Sequence, residues 1–178
     1  NMSEMFKYRD FTEGFSNANV FNSLNVSNVT NMSGMFEGVC VFNTDPNNNN
    51  TSLNFNDWNV SYVTDMSFMF YRCEIGSINL GSWNSSSATT MQSMFSATGS
   101  NVNSAIHTLL FTSFNTSSVE NMSEMFRGSN ITSIDLSSLD TSSVTNMYRM
   151  FRDCRALTSL NLSNWITTSV TNMVGMFN

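Results

Sequence analysis

One eight-residue phrase returns along the whole chain at nearly regular intervals. It reads VTNMSGMF at residues 29–36, VENMSEMF at 119–126 and VTNMVGMF at 170–177. The chain has 14 methionines, and each of them lies at one of the two methionine positions of a copy of this phrase, with phenylalanine directly after the second. A pairing kept over so many copies indicates a structural repeat, which constrains the fold more than any single element does. We call the phrase the methionine motif.

The shortest spacing between copies sets the repeat unit at about 25 residues. Repeats of roughly 20–30 residues are typical of solenoids, in which each coil buries its apolar face against the next. Before the motif, apolar residues alternate, as at Leu160 and Leu162, which predicts a short strand. From Val170 they fall at i, i+3, i+6 and i+7, the spacing of one helix face. The sequence therefore predicts an α/β repeat solenoid of six to seven coils, each with one short parallel strand and one short helix.

The predicted helix also has a start signal. A Ser or Thr stands two residues before its first apolar position, where its hydroxyl can accept a backbone N–H as an N-cap. Ser117 is one example, and Glu120 completes a capping box with it. A helix of eight residues is too short to be stable alone in water, so its stability must come from packing in the column of coils.

We interpret residues 1–178 as a single solenoid domain that is a fragment of a longer repeat chain, because the sequence begins inside one repeat and ends inside another. Two insertions lengthen the unit after the methionine motif, near 41–50 and 96–107. Both should emerge from the same edge, and insertions on one face of a repeat array often form the binding side. The alternative is that the asparagine run at 47–50 is only a spacer.

The methionine motif is expected to supply the core. Methionine fills irregular gaps and makes favourable sulfur–aromatic contacts, so stacked coils would place Met beside Met and Phe beside Phe. Nothing in the pattern turns the thioethers toward a metal pocket. The predicted core repeat residues are Met32, Met35, Phe36, Met66, Met69, Phe70, Met122, Met125, Phe126, Met147, Met150 and Phe151.

The outward strand positions carry short polar side chains. Stacked in register, they would form a ladder that can hydrogen-bond sugars, protein backbone or ordered water, which makes it the candidate binding surface. The alternative is a face that is merely solvated. The ladder residues are Ser52, Asn54, Asn56, Ser77, Asn79, Ser133, Asp135, Ser137, Ser159, Asn161 and Ser163.

Asn-x-Ser/Thr triplets recur through the chain and would be glycan acceptors in a secreted eukaryotic protein. Asn59 and Asn115, in the turn between strand and helix, are the candidate glycosylation sites; the alternative is that a repeat rich in Asn, Ser and Thr generates such triplets by chance. Cys40, Cys73 and Cys154 occupy equivalent small positions after the motif, where a free cysteine behaves as a modest hydrophobe. A Cys40–Cys73 disulfide between neighbouring coils is the other possibility.

Composition excludes several function classes. The net charge is −6 with 11% charged residues, and no basic patch is visible, so no nucleic-acid partner is expected. No stretch approaches the ~18 apolar residues of a membrane span. The one histidine, His107, lies in an insertion without a paired acid or nucleophile motif. We therefore expect no enzyme, no catalytic residues, no cofactor and no metal, since three cysteines cannot supply the usual four-ligand zinc site.

Two long segments carry a family resemblance: ITSIDLSSLDTSSVTNMYRMFRDC at 131–154 and LTSLNLSNWITTSVTNMVGMF at 157–177. They resemble the BspA-like leucine-rich repeat in the form found in Mycoplasma-type surface lipoproteins. The resemblance covers residues 21–178 and weakens at 41–50 and 96–110. It implies a leucine-rich-repeat-like solenoid of right-handed coils, located at the cell surface or outside the cell. Such a protein would be a non-enzymatic module that mediates adhesion or binds extracellular proteins or glycans.

A structural role is the alternative function. An open solenoid has two ends that normally need polar caps. Uncapped ends can stack copies of the chain head to tail into an extracellular fibre or surface layer through heterologous contacts.

Overall fold

The structure is a computed structural model that describes residues 1–9, 21, 23–39, 52–55, 57–73, 77–81, 83–98, 108–111 and 114–178. Its strands are β1 (Ser52–Asn54), β2 (Ser77–Asn79), β3 (Thr108–Leu110), β4 (Ser133–Asp135) and β5 (Ser159–Asn161). They form a parallel sheet in the order β1-β2-β3 and a second parallel pair, β4-β5. Each strand residue pairs with its equivalent in the next repeat, as Ile134 does with Leu160. The predicted short parallel strands are confirmed.

In β2 and β4, only the central side chain of the strand is buried. Ile78 is buried between the half-buried Ser77 and Asn79, and Ile134 is buried between the exposed Ser133 and Asp135. This is the two-residue alternation of a strand with one buried face.

The predicted helix, and with it the α/β class, is wrong for the described residues, where the methionine motif folds as a series of turns and no helix forms. In the copy that begins at Met32, the Met35 N–H donates to the Met32 carbonyl at 3.1 Å. Gly34 lies between these two methionines, and its N–H donates to the carbonyl of Ser67 in the next copy at 2.8 Å. Local turn bonds therefore alternate with bonds between copies.

The backbone of the motif explains why a helix cannot form. Positive φ returns every fourth residue, as at Gly34 (62°) and Gly38 (66°), whereas an α-helix needs φ near −63° throughout. An eight-residue helix is marginal in water, and the neighbouring copy offers alternate N–H groups a carbonyl partner. The N-cap prediction is also wrong: the Ser117 N–H donates to Asn115 Oδ1 at 3.0 Å and closes a turn.

Successive methionine motifs lie side by side in chain order. Isolated parallel bridges join the polar residue before the first methionine of each copy to its equivalent in the next, except in the copy that opens the chain. These bridges run through Asn31, Asp65, Thr90, Asn121, Asn146 and Asn172. Equivalent residues of neighbouring copies are therefore spatial neighbours, which places every repeat position in its own column.

A column of stacked phenylalanine rings runs through the core. Ring centroids of consecutive copies lie 5.4–5.7 Å apart and the rings are within 17° of parallel. Such offset stacks are a favoured aromatic geometry. The twelve predicted core residues are all buried, with 4% or less of their surface exposed. The rings in the column are Phe6, Phe36, Phe70, Phe95, Phe126, Phe151 and Phe177.

Buried donors in the core find carbonyl partners in the neighbouring copy. The Trp83 indole N–H donates to the Phe55 carbonyl at 2.9 Å, and the buried Thr116 hydroxyl donates to that of Asp140 at 2.8 Å. The Cys73 thiol donates to the Phe36 carbonyl at 2.7 Å. Cys40 lies outside the described residues, so its disulfide with Cys73 stays a prediction.

Several expectations fall wholly or partly outside the described part of the chain. They are the insertion at 41–50, residues 99–107 of the second insertion with His107, and Asn56 of the ladder. The division into a single domain over 1–178 likewise stays a prediction. Within the described residues, no helix is long and apolar enough to cross a membrane.

Candidate functional site

The predicted ladder follows the outer face of the strands. Ser133 pairs in register with Ser159, and Asp135 pairs with Asn161; all four side chains are exposed. In the first sheet, the register joins Ser52 to Ser77 and Asn54 to Asn79. Asn54, Ser77 and Asn79 are half-buried, and the side chain of Ser52 is outside the described part.

The carboxylate or amide at each strand end also closes the turn that follows. Asp135 Oδ1 accepts the N–H of Ser137 at 2.9 Å and its hydroxyl at 2.6 Å. Asn161 Oδ1 accepts the Ser163 N–H at 3.1 Å. These are Asx turns, in which a short polar side chain bonds the backbone two residues on. The predicted ladder is thus partly a structural device.

The same bonds keep Asp135 charged. The Ser137 hydroxyl, its amide and the side chain of Asn161 donate to the carboxylate and lower the pKa of Asp135 below its ordinary value of 3.8. Donors to the ionised form favour it over the neutral form. The β4–β5 part of the ladder therefore presents a fixed negative charge beside the hydroxyls of Ser133 and Ser159.

The two candidate glycosylation sites belong to a second column of Asx turns. Asn59 Oδ1 accepts the Ser61 N–H at 3.1 Å, and Asn115 accepts that of Ser117. Both asparagines are exposed. Asp140 takes this place in a later copy, where the Ser142 hydroxyl and then its amide lower the pKa of Asp140. Glycosylation of Asn59 and Asn115 stays a prediction.

A third such column opens the methionine motif itself. Asn31 Oδ1 accepts the Ser33 N–H at 2.8 Å, and Asn121 Oδ1 accepts that of Ser123 at 3.0 Å. Together the three columns give a physical reason for a composition rich in Asn, Ser and Thr. Each repeat has several sharp turns, and short polar side chains satisfy their backbone donors.

A charged edge lies along the methionine motifs, and the sequence reasoning missed it. All seven basic residues of the chain lie within a motif or just after it, so the column arrangement places them along one edge. Among the described residues, six carboxylates also lie within a motif or just after it. The basic residues are Lys7, Arg9, Arg72, Arg127, Arg149, Arg152 and Arg155. The carboxylates are Glu4, Glu37, Asp65, Glu120, Glu124 and Asp153. The sequence holds only part of the signal: each cation can be placed relative to the nearest motif, but the structure shows which copies become neighbours.

Some of these cations are paired with carboxylates. Arg127 Nη1 lies 2.9 Å from Glu124 Oε2, and this bond raises the pKa of Arg127. Lys7 Nζ lies 2.8 Å from Glu4 Oε1 and 3.1 Å from Glu37 Oε2, and hydrogen bonds with Glu4 and then Glu37 raise the pKa of Lys7. These charges are already compensated within the chain.

Two arginines instead stack on tyrosines. The Arg72 guanidinium lies 5.1 Å from the ring centre of Tyr71, and that of Arg149 lies 4.6 Å from the ring centre of Tyr148. Neither arginine forms an ion pair within the described ranges. Phe68 packs edge-on against Tyr71 at 5.8 Å. The edge therefore combines half-buried aromatic rings with two positive charges that have no described ion-pair partner.

Two features of the described residues bear on metal binding and on cysteine chemistry. In that part of the chain, no three His, Cys, Asp or Glu side chains are grouped so that they could hold a metal ion. Cys154 Sγ donates to the Phe126 carbonyl at 2.9 Å, and burial raises the pKa of its thiol, which disfavours the nucleophilic thiolate.

Comparison with known proteins identifies a family, but no curated or structurally solved relative. No curated protein and no solved structure matches the chain. A family model described as "Mycoplasma protein of unknown function, DUF285" matches twice, over residues 1–109 and 100–178. Two successive matches agree with a repeated sequence. The chain therefore belongs to the DUF285 family.

Proposed function

We propose that the protein is a non-enzymatic binding protein of the cell surface or extracellular space, built as a leucine-rich-repeat-like solenoid of the BspA-like form. The family match, the in-register parallel strands and the continuous column of stacked rings support this architecture. The observation that carries the function is the exposed part of the ladder on β4 and β5. Its ligand is an extracellular protein or glycan.

The ladder is suited to binding because its polar groups are held in place before a ligand arrives. The Asx turns fix Asp135 and Asn161, so little conformational entropy is lost when they bind. The exposed hydroxyls of Ser133 and Ser159 make no hydrogen bond within the described structure. Neighbouring strands repeat these groups at roughly 4.8 Å, a regular row of donors and acceptors.

The test blocks this row without disturbing the turns. The double variant Ser133→Gln/Ser159→Gln adds long neutral side chains and leaves the Asx acceptors intact; Ser138→Gln, at an exposed turn position, is the matched control. Binding is measured on an array of defined glycans and a panel of purified extracellular matrix proteins. We expect the double variant to lose at least tenfold in affinity for the ligands of the unmodified protein, and the control to retain it. Equal binding by all three, or no ligand at all, would count against the proposal.

Light scattering and electron microscopy of the full-length protein separate this role from the structural alternative. Discrete particles at every concentration would support the binding protein. Regular fibres that grow with concentration would instead support assembly of copies through solenoid ends.

A further inference from the structure

We propose that the edge formed by Tyr71, Arg72, Arg127, Tyr148, Arg149 and Arg152, here called the Arg–Tyr edge, docks an acidic segment of a partner protein. This surface lies along the methionine motifs, whereas the proposed ladder lies on the strands. The inference therefore goes beyond the proposed function and stands or fails separately.

Charge distribution provides the first argument. The chain carries a net charge of −6, yet its seven cations all lie along the methionine motifs, against six described carboxylates there. The rest of the described surface carries no basic residue, and it holds acidic residues such as Asp57, Asp135 and Asp140. A basic edge on an acidic protein orients an acidic partner, because the rest of the surface repels it.

The stacked arginines give the edge its carboxylate specificity. Arg72 lies over Tyr71 and Arg149 over Tyr148, so the rings restrict both guanidinium groups. An arginine held this way can offer its planar fork of N–H donors to a carboxylate with two parallel hydrogen bonds. Neither arginine has a described carboxylate partner to displace first.

The aromatic content favours a protein over a nucleic acid. Tyrosine and arginine are enriched at protein–protein interfaces and at their energetic hot spots. Glu124 beside Arg127 and Asp153 beside Arg152 interrupt the positive charge. Duplex DNA carries about one charge per 1.7 Å, so these carboxylates would repel it. A peptide can space its carboxylates to avoid them.

The dimensions also suit an extended peptide. Arg72 and Arg149 belong to copies three steps apart, which is roughly 14 Å at the spacing of neighbouring strands. An extended chain rises about 3.3 Å per residue, so at least four to five residues must separate two acidic side chains that reach both copies.

The test removes these two charges and leaves a shorter, neutral polar side chain at each position. The double variant Arg72→Gln/Arg149→Gln lowers the net charge by two. The control Ser118→Asp/Ser138→Asp lowers it equally, at exposed turn positions away from the edge. Fluorescence anisotropy measures binding of labelled poly-L-glutamate in low salt, with heparin and duplex DNA as comparison probes, and thermal unfolding checks that each variant is folded.

We expect the Arg72→Gln/Arg149→Gln variant to bind poly-L-glutamate roughly fivefold or more weakly, and the control to lose much less. Binding should also weaken as salt rises, because exposed charges are screened. Equal losses in both variants, no binding by the unmodified protein, or tighter binding of heparin or DNA than of poly-L-glutamate would overturn the proposal. If the double variant unfolds, Arg152→Gln, at a side chain paired only at 3.5 Å, replaces it with an expected loss of about twofold.

Discussion

Removing one ring from the phenylalanine column tests the packing on which the whole array depends. Phe126 is 1% exposed, and its ring lies 5.7 Å from that of Phe95 and 5.5 Å from that of Phe151, nearly parallel to both. The substitution Phe126→Ala removes the buried ring and both stacking contacts, and the rings on either side are held by their own copies. Collapse of the cavity is therefore limited, and we expect a loss of roughly 3–5 kcal/mol in the free energy of unfolding.

The same column provides its own control. Phe177 stacks on Phe151 at 5.6 Å but is 63% exposed and has one ring neighbour in the column. Full burial of a Phe side chain contributes about 1.5–3 kcal/mol, so burial of about a third predicts that Phe177→Ala costs only about 1 kcal/mol.

Equilibrium unfolding in urea, followed by tryptophan fluorescence, measures both variants. Trp83 is fully buried and reports loss of the core. At a typical urea dependence of about 2 kcal/mol per molar, Phe126→Ala should shift the midpoint by roughly 2 M. A cost for Phe126→Ala below about 1.5 kcal/mol, or similar costs for the two variants, would refute the stacked column, since the reasoning depends on a difference in burial.

Three further predictions concern the turns and the buried hydroxyls. Gly38→Ala should destabilise more than Gly128→Ala, and thermal unfolding compares them. Both glycines have φ near 65°, which alone costs roughly 1–2 kcal/mol for alanine. The new Cβ would clash with the Tyr8 ring at Gly38, whereas at Gly128 the nearest atom lies 4.0 Å away. The pKa of Asp140 is lowered in the folded protein, so its carboxylate stabilises the fold above its ordinary pKa of 3.8, and this contribution is lost as the pH falls through the folded pKa. Asp140→Asn keeps the turn acceptor and should flatten the decline in the free energy of unfolding between about pH 5 and about pH 3, measured by urea unfolding. Thr141→Val should cost roughly 1–2 kcal/mol in the same assay, because the buried hydroxyl that donates to the Ile166 carbonyl at 2.9 Å is lost; an unchanged midpoint would mean that solvent replaces this bond.

Sequence reasoning located the strands and the buried residues, and failed at the helix. Alternation at Leu160 and Leu162 is characteristic of a strand, so the periodicity was decisive there. The spacing of Met32 and Met35 is not decisive, because residues three apart meet both on one helix face and across one closed turn. Only the carbonyl of Ser67, from the next copy, provides the partner that makes the turn the better solution.

The candidate surfaces divide in the same way. The outward direction of Ser133 and Asp135 follows from the strand period and was predicted. Asp135 also closes a turn by accepting the N–H of Ser137, two residues on. The strand pattern alone does not predict this second role. The Arg–Tyr edge depends on which residues of different copies become neighbours, and no single repeat contains that information.

By itself, the sequence determined that this chain is built from repeats, where each repeat begins, and which side chains face inward, because every copy has the same apolar periodicity. Tertiary structure decided whether the methionine motif becomes a helix or a run of turns. It also decided how cations from separate copies collect along one edge. The physical reason is that backbone hydrogen bonds between copies join residues about 25 or more positions apart, so their energy belongs to the stacked array and to no single segment.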